Sequence, residues 1–160
     1  MALQQLNYSV DEIAELLDKT QLADEFSWDQ IVKISGFLSA YYVDNGDVIY
    51  KEGEHDESMA IIAKGSIKIT KTDAHNNTST LAQLHASQSL GEMALIDGEP
   101  RSADVIASTN VILLILSKKN INQLAKKFPA LGMKLLWKIA RTISQRLRKT
   151  SSNLVENLHK

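Results

Sequence analysis

The stretch that decides the fold is Leu90-Gly91-Glu92-Met93-Ala94-Leu95-Ile96-Asp97-Gly98-Glu99-Pro100-Arg101-Ser102-Ala103-Asp104-Val105. Gly91 has no Cβ, so the backbone there can pass close to a bound group. Glu92 to Ile96 make one helical turn, too short to exist for packing alone. The N–H groups of Glu92, Met93 and Ala94 open that turn without partners inside it, which makes a small anion site. Asp97-Gly98-Glu99-Pro100 reverses the chain, and Arg101 to Val105 begin a strand that runs back past the turn. A carboxylate, a guanidinium and a helix N-terminus are thereby predicted around one pocket. The planar fork of Arg101 suits a phosphate. Glu92 only accepts hydrogen bonds, so it suits a sugar hydroxyl. Phosphate and hydroxyl in one small ligand describe a nucleotide.

Around this stretch lie short β-branched segments: Val48–Tyr50, Met59–Ile62, Ser66–Thr70, Thr80–Leu84, Ala103–Ala107 and Val111–Leu116. Turn signals separate them at Asp44–Asp47, Glu52–Glu54, Lys64-Gly65, His75–Asn77 and Asp97–Pro100. Many short strands in close succession predict an antiparallel jelly-roll β-barrel, whose closure protects its edges. This core is placed at 40–116. Residues 1–39 read as an N-terminal helical segment. Val10, Ile13, Leu16 and Leu17 follow the cap Ser9, and Ile31, Ile34, Phe37 and Leu38 follow the cap Ser27.

Residues 117–160 read as a C-terminal helical lid or dimerisation segment. Ser117 caps a short helix ending near Phe128, and Pro129 opens a second. Leu131, Leu135, Ile139, Ile143 and Leu147 then form one apolar stripe that needs the barrel or a second copy to pack against. Trp137 is expected in the core, and the tail from Thr150 to Asn153 is expected to fray. The predicted class is α+β, mainly β, in one domain.

Composition narrows the chemistry. Among 160 residues there is no cysteine, which removes disulfides, thiolate metal sites and a cysteine nucleophile. No aliphatic run approaches the roughly 20 residues of a membrane span, and the N-terminus lacks signal-peptide character. A cytoplasmic protein is expected. His55, His75, His85 and His159 are scattered, without metal-ligand spacing. No nucleophile–base arrangement is visible, so neither an enzyme nor a resident cofactor is expected. The net charge of -1 divides unevenly: residues 1–116 carry 7 basic and 18 acidic side chains, residues 117–160 carry 11 and 1. The basic arm is expected to contact the acidic body or an acidic partner.

The same residues resemble the phosphate-binding cassette of cyclic nucleotide-binding domains. Gly91-Glu92, Ala94-Leu95 and Arg101-Ser102-Ala103 match that pattern. The resemblance extends through Leu17–Leu22, Asn45–Glu54 and Ser58–Ile67, and covers most of residues 12–147. It implies a jelly roll with N-terminal helices, a short phosphate-binding helix and C-terminal B- and C-type helices. By resemblance Glu92 would bind the ribose 2′-hydroxyl. Arg101 would hold the cyclic phosphate with the amides of Ala94 and Ser102 and the Ser102 hydroxyl. Gly91, Met93 and Ala103 complete the cassette, while Leu84, Leu90 and Ala82 would wall the ribose and base. The last helix would close as a lid near Thr142, Gln145 and Arg146.

The implied ligand is cAMP, ahead of cGMP. The implied output is movement of the last helix towards an unknown effector, with a homodimer through that helix. Too few residues follow the helix for a DNA-reading unit, so no sequence-specific DNA binding is expected. The pattern is broken where Leu90 replaces an aromatic, Ser87 a glycine, and Asp56 and Ala60 a glycine and an aromatic. The alternative is a degenerate, non-binding scaffold that dimerises or docks through the Leu131–Leu147 stripe of its basic C-terminal helix, with Glu92 and Arg101 merely paired to each other.

Overall fold

The computed structural model describes residues 3–158; Met1, Ala2, His159 and Lys160 lie outside the described residues. Two helices lie near the start of the chain, α1 (Val10–Asp18) and α2 (Trp28–Ser35), with a 3₁₀ turn at Gln21–Glu25 between them. Both begin at the predicted caps. Ser9 accepts from the Glu12 N–H at 3.1 Å, while the Glu12 carboxylate accepts from the Ser9 N–H. Ser27 and Gln30 repeat this reciprocal box. α2 stops earlier than its apolar spacing predicts. The Ser35 hydroxyl bonds back to the Ile31 carbonyl at 2.7 Å and Gly36 caps the helix, so Phe37 and Leu38 lie in the turn beyond it.

Among the described residues nine strands form two antiparallel sheets, the first strand lying ahead of both helices. The first holds β1 (Gln4–Gln5), β2 (Ser39–Val43), β9 (Val111–Ser117), β4 (Ser58–Lys64) and β7 (Ser89–Leu90), in that order. The second holds β3 (Val48–Tyr50), β8 (Asp104–Ala107), β5 (Ser66–Thr72) and β6 (Thr78–His85). The α+β jelly roll is therefore as expected, although β1, β2 and β7 were not read from the sequence and Ala103 precedes β8.

Strands β4 and β9 of the first sheet are buried on both faces, and successive side chains point to opposite sides. Met59, Ile61, Leu114 and Leu116 join the core beneath the helices. Ala60, Ile62, Val111 and Leu113 join the core between the two sheets.

The C-terminal helices are α4 (Lys118–Lys127) and α5 (Pro129–Leu158). They approach so closely that a Cβ on Gly132 would stand 2.6 Å from that of Ala125. α5 continues unbroken through Thr150–Asn153, which corrects the expected fraying, since no helix breaker follows Gly132. Leu131, Leu135 and Ile139 are buried against the chain's own body, so their stripe is closed to a second copy. Trp137, expected in the core, is 64% exposed. It lies about 200° round the helix from Leu135 at 100° per residue.

α5 in fact carries a second apolar stripe. Met133, Trp137, Leu147, Leu154 and Leu158 are all exposed, with Ala140, Ser144 and Ser151 completing alternate steps of four and three. Part of the basic arm meets the acidic body: Lys138 and Arg141 pair with Glu25, Lys118 pairs with Glu57, and Lys134 reaches the neutral Gln30 at 3.1 Å. No helix among the described residues is long and apolar enough to cross a membrane.

Candidate functional site

Between β7 and β8 the chain makes the predicted short helix, α3 (Glu92–Asp97), closed by left-handed glycines at Gly91 and Gly98. Gly91 has φ +83°, and a Cβ there would meet Arg101 Nη1 at 2.6 Å and the Ser58 carbonyl at 3.1 Å. Only glycine lets the turn and the arginine share this space. The first helical bond runs from the Leu95 N–H to the Gly91 carbonyl, leaving the amides of Glu92, Met93 and Ala94 ahead of it. Arg101 is held opposite by its own backbone, which donates to the Glu54 carbonyl and accepts from the Gly53 N–H.

These elements enclose a cavity of about 470 Å³. Among the candidate residues, Gly91, Glu92, Met93, Ala94, Arg101, Ser102, Ala103, Leu84 and Leu90 line it. Of the lid candidates only Arg146 reaches the wall. Thr142 turns back to the Lys138 carbonyl, and Gln145 is exposed. Ala82 is exposed on β6 opposite Ile69 and is likewise not on the wall, whereas Ile69 is.

Glu92 and Arg101 are among the few buried charged residues, 3% and 7% exposed. Charges are rarely buried this deeply without partners. The two do not pair with each other, which removes the structural ion pair as an explanation. Glu92 accepts from the Ser89 hydroxyl through Oε1 and from Arg146 at 2.9 Å through Oε2. Arg101 donates to the Ser58 carbonyl at 2.7 Å and the Gly91 carbonyl at 3.3 Å. The Asp56 carboxylate lies 3.7 Å from its Nη2, so the residue that departs from the family's glycine supplies a counter-charge. Arg101 Nε is buried and has no hydrogen-bond partner. A donor left in that state costs about 1 to 3 kcal/mol, which a ligand oxygen would recover.

Sequence reasoning missed the support around the arginine. Tyr50 stacks beneath its guanidinium, and Val105 completes the apolar wall. Burial raises the Tyr50 phenol above its ordinary value, although its hydrogen bond with Ser58 and the nearby Arg101 oppose this. Tyr50 lay within the matched Asn45–Glu54 segment, and an aromatic alternating into the barrel was the available signal. A second cavity of about 310 Å³ shares Tyr50 as a wall, together with Tyr41, Asp56 and Ser58. No buried unpartnered donor among the described residues belongs to it alone.

A family model described as the cyclic nucleotide-binding domain matches residues 42–128. The cGMP-dependent protein kinase 2 of Mus musculus is 33% identical over 123 residues, 76% of this chain and 16% of the kinase. A cyclic nucleotide-gated potassium channel of Mesorhizobium japonicum is 36% identical over 102 residues, 64% of this chain and 27% of the channel. The chain thus spans well under half the length of both relatives. A solved cyclic nucleotide-binding domain from Methylobacillus flagellatus superposes with a TM-score of 0.84 at 26% identity, covering 98% of this chain and 89% of that one.

Proposed function

Because the chain belongs to the cyclic nucleotide-binding domain family, we propose that it is a regulatory module that binds a cyclic mononucleotide and performs no chemistry on it. Arg101 takes the cyclic phosphate, with the α3 amides beside it, and Glu92 takes the ribose hydroxyl. Leu84, Leu90, Ile69 and Val105 receive the apolar parts of the ligand. The ligand proposed first is cAMP, with cGMP as its competitor. The observation that carries this reading is the buried Arg101 whose Nε lacks a partner on the wall of a cavity that Glu92 also lines.

The output runs through α5 to an effector in the cytoplasm, because α5 carries Arg146 on the cavity wall and continues beyond it as a long exposed helix. A homodimer, if formed, uses the outer Met133–Leu158 stripe, whose steps of four and three average 3.5 residues as in a coiled-coil seam. Calorimetric titration of the full chain with cAMP and cGMP tests the binding. Saturable binding of either supports the reading, and binding of neither refutes it.

A further inference from the structure

The Glu92 side chain is 4% exposed, and both of its oxygens are engaged. One partner, Ser89, belongs to β7 directly behind it. The other is Arg146, from α5, whose second nitrogen bonds the Ser89 carbonyl at 2.5 Å. Arg146 is 41% exposed and lines the cavity, so its guanidinium covers the carboxylate on the side from which a ligand would come. Arg146 is also the last anchor of α5. Every described residue from Leu147 to Leu158 is exposed, and none of them has an ion pair or side-chain hydrogen bond to the barrel. The phosphate position at Arg101 shares none of these contacts.

We propose that Arg146 is a latch on Glu92 which a ligand's sugar hydroxyl must displace, so that the hydroxyl releases the end of α5 while the phosphate supplies affinity. The inference rests on the nucleotide-binding reading and assigns its two halves different work. Glu92 has lone pairs to spare, but at 4% exposure no side of it is open, so a third donor reaches it only where one of the two present moves aside. The movable one is on a long side chain of a helix otherwise free beyond it. A ligand lacking the 2′-hydroxyl then binds without moving α5.

The absence of cysteine permits a direct test on the full chain. Spin labels at Ser79→Cys on β6 and Asn153→Cys on α5, diluted into unlabelled protein, report the distance from barrel to helix end. Binding of each nucleotide is followed by calorimetry. The cyclic nucleotide is expected to shift or broaden this distance, and its 2′-deoxy analogue to bind without doing so. Arg146→Gln is expected to release α5 without ligand and to raise the preference for the 2′-hydroxyl ligand over the deoxy ligand by roughly 5-fold or more.

An equal shift with the deoxy ligand at saturation overturns the latch, as does no shift with either ligand. A preference that is unchanged or falls in Arg146→Gln overturns it too, by showing that arginine and hydroxyl share Glu92. Failure of the wild type to bind any cyclic nucleotide brings down the binding reading itself, and the latch with it. The comparison of the two ligands on the wild type needs no altered site.

Discussion

Arg101 lies over the face of Tyr50, its guanidinium carbon 3.7 Å from the ring centroid. The ring, the two backbone carbonyls and the Gly91 turn together fix a planar cation whose Nε donor is unspent. A lysine ammonium has neither the plane to stack nor the fork to bind two oxygens. Arg101→Ala is therefore expected to weaken cyclic nucleotide binding by at least ~30-fold, as when one member of a desolvated charge pair is truncated. Arg101→Lys should recover only part of this. Calorimetry gives the affinities and circular dichroism confirms the fold. Unchanged affinity in Arg101→Ala removes the phosphate from this site.

The cassette was legible because it is local. Gly91, Glu92 and Arg101 fall within sixteen residues, and turn chemistry alone returns the arginine to the carboxylate's cavity. Tyr50 beneath Arg101 and Arg146 on Glu92 were less visible, since their separations of 51 and 54 residues are closed only by the tertiary fold. β1 and β7, two residues each, are too short to show any period. Trp137 lies outside the core because α5 carries two apolar stripes on opposite sides, and spacing by itself does not say which of them meets the body. Thr142 and Gln145 lie off the cavity wall, in a helix register that only packing decides.

Gly91 and Gly46 separate backbone strain from site geometry. Both have positive φ, +83° and +91°, but nothing lies within 4 Å of a Cβ at Gly46. Each alanine substitution is expected to cost about 1 to 3 kcal/mol of stability through the left-handed backbone. Gly91→Ala should also displace Arg101 and weaken ligand binding, while Gly46→Ala leaves affinity unchanged. Denaturant melts and titrations of both variants check this. Equal affinities would mean that the close approach at Gly91 is irrelevant to binding.

Ser87 stands where the family favours glycine, and its φ is +87°. Its N–H donates to the Ile62 carbonyl at 2.8 Å and its carbonyl accepts from the Gln21 N–H at 3.0 Å, so the turn is pinned in this strained region. Ser87→Gly removes the Cβ conflict at a smaller entropic cost. The expected gain is about 1 kcal/mol, or a Tm higher by roughly 2 to 4 °C. Calorimetric melting is the check, and a lower Tm contradicts it.

The β5–β6 turn should loosen in acid. Asp73 accepts from the Asn77 N–H at 2.9 Å and the His75 N–H at 2.8 Å, and these bonds hold its carboxyl below the ordinary value of 3.8. A carboxyl depressed on folding contributes its full stabilisation above the unfolded value and loses it as pH falls through the folded one. Amide exchange at His75 and Asn77, corrected for the intrinsic rate, is expected to accelerate on acidification below about pH 4. Asp73→Asn should flatten that dependence, and an unaltered profile in the variant assigns the effect elsewhere.

The two stripes of α5 make opposite predictions. Leu135 is fully buried in the helical core, so Leu135→Ala should destabilise the fold by about 2 to 5 kcal/mol. Trp137 and Leu147 are each 64% exposed on the outer stripe, where charge is tolerated in a monomer and buried in a dimer. A Trp137→Glu, Leu147→Glu double variant is therefore expected to keep its melting behaviour at high dilution and to shift the mass seen by light scattering from two chains to one. Ala140 and Ser144 lie between these residues, and their small side chains allow two helices to approach closely along the seam. Wild-type chain that stays monomeric at every concentration assigns the outer stripe to an effector instead, and a variant that remains dimeric places the dimer contact off this seam.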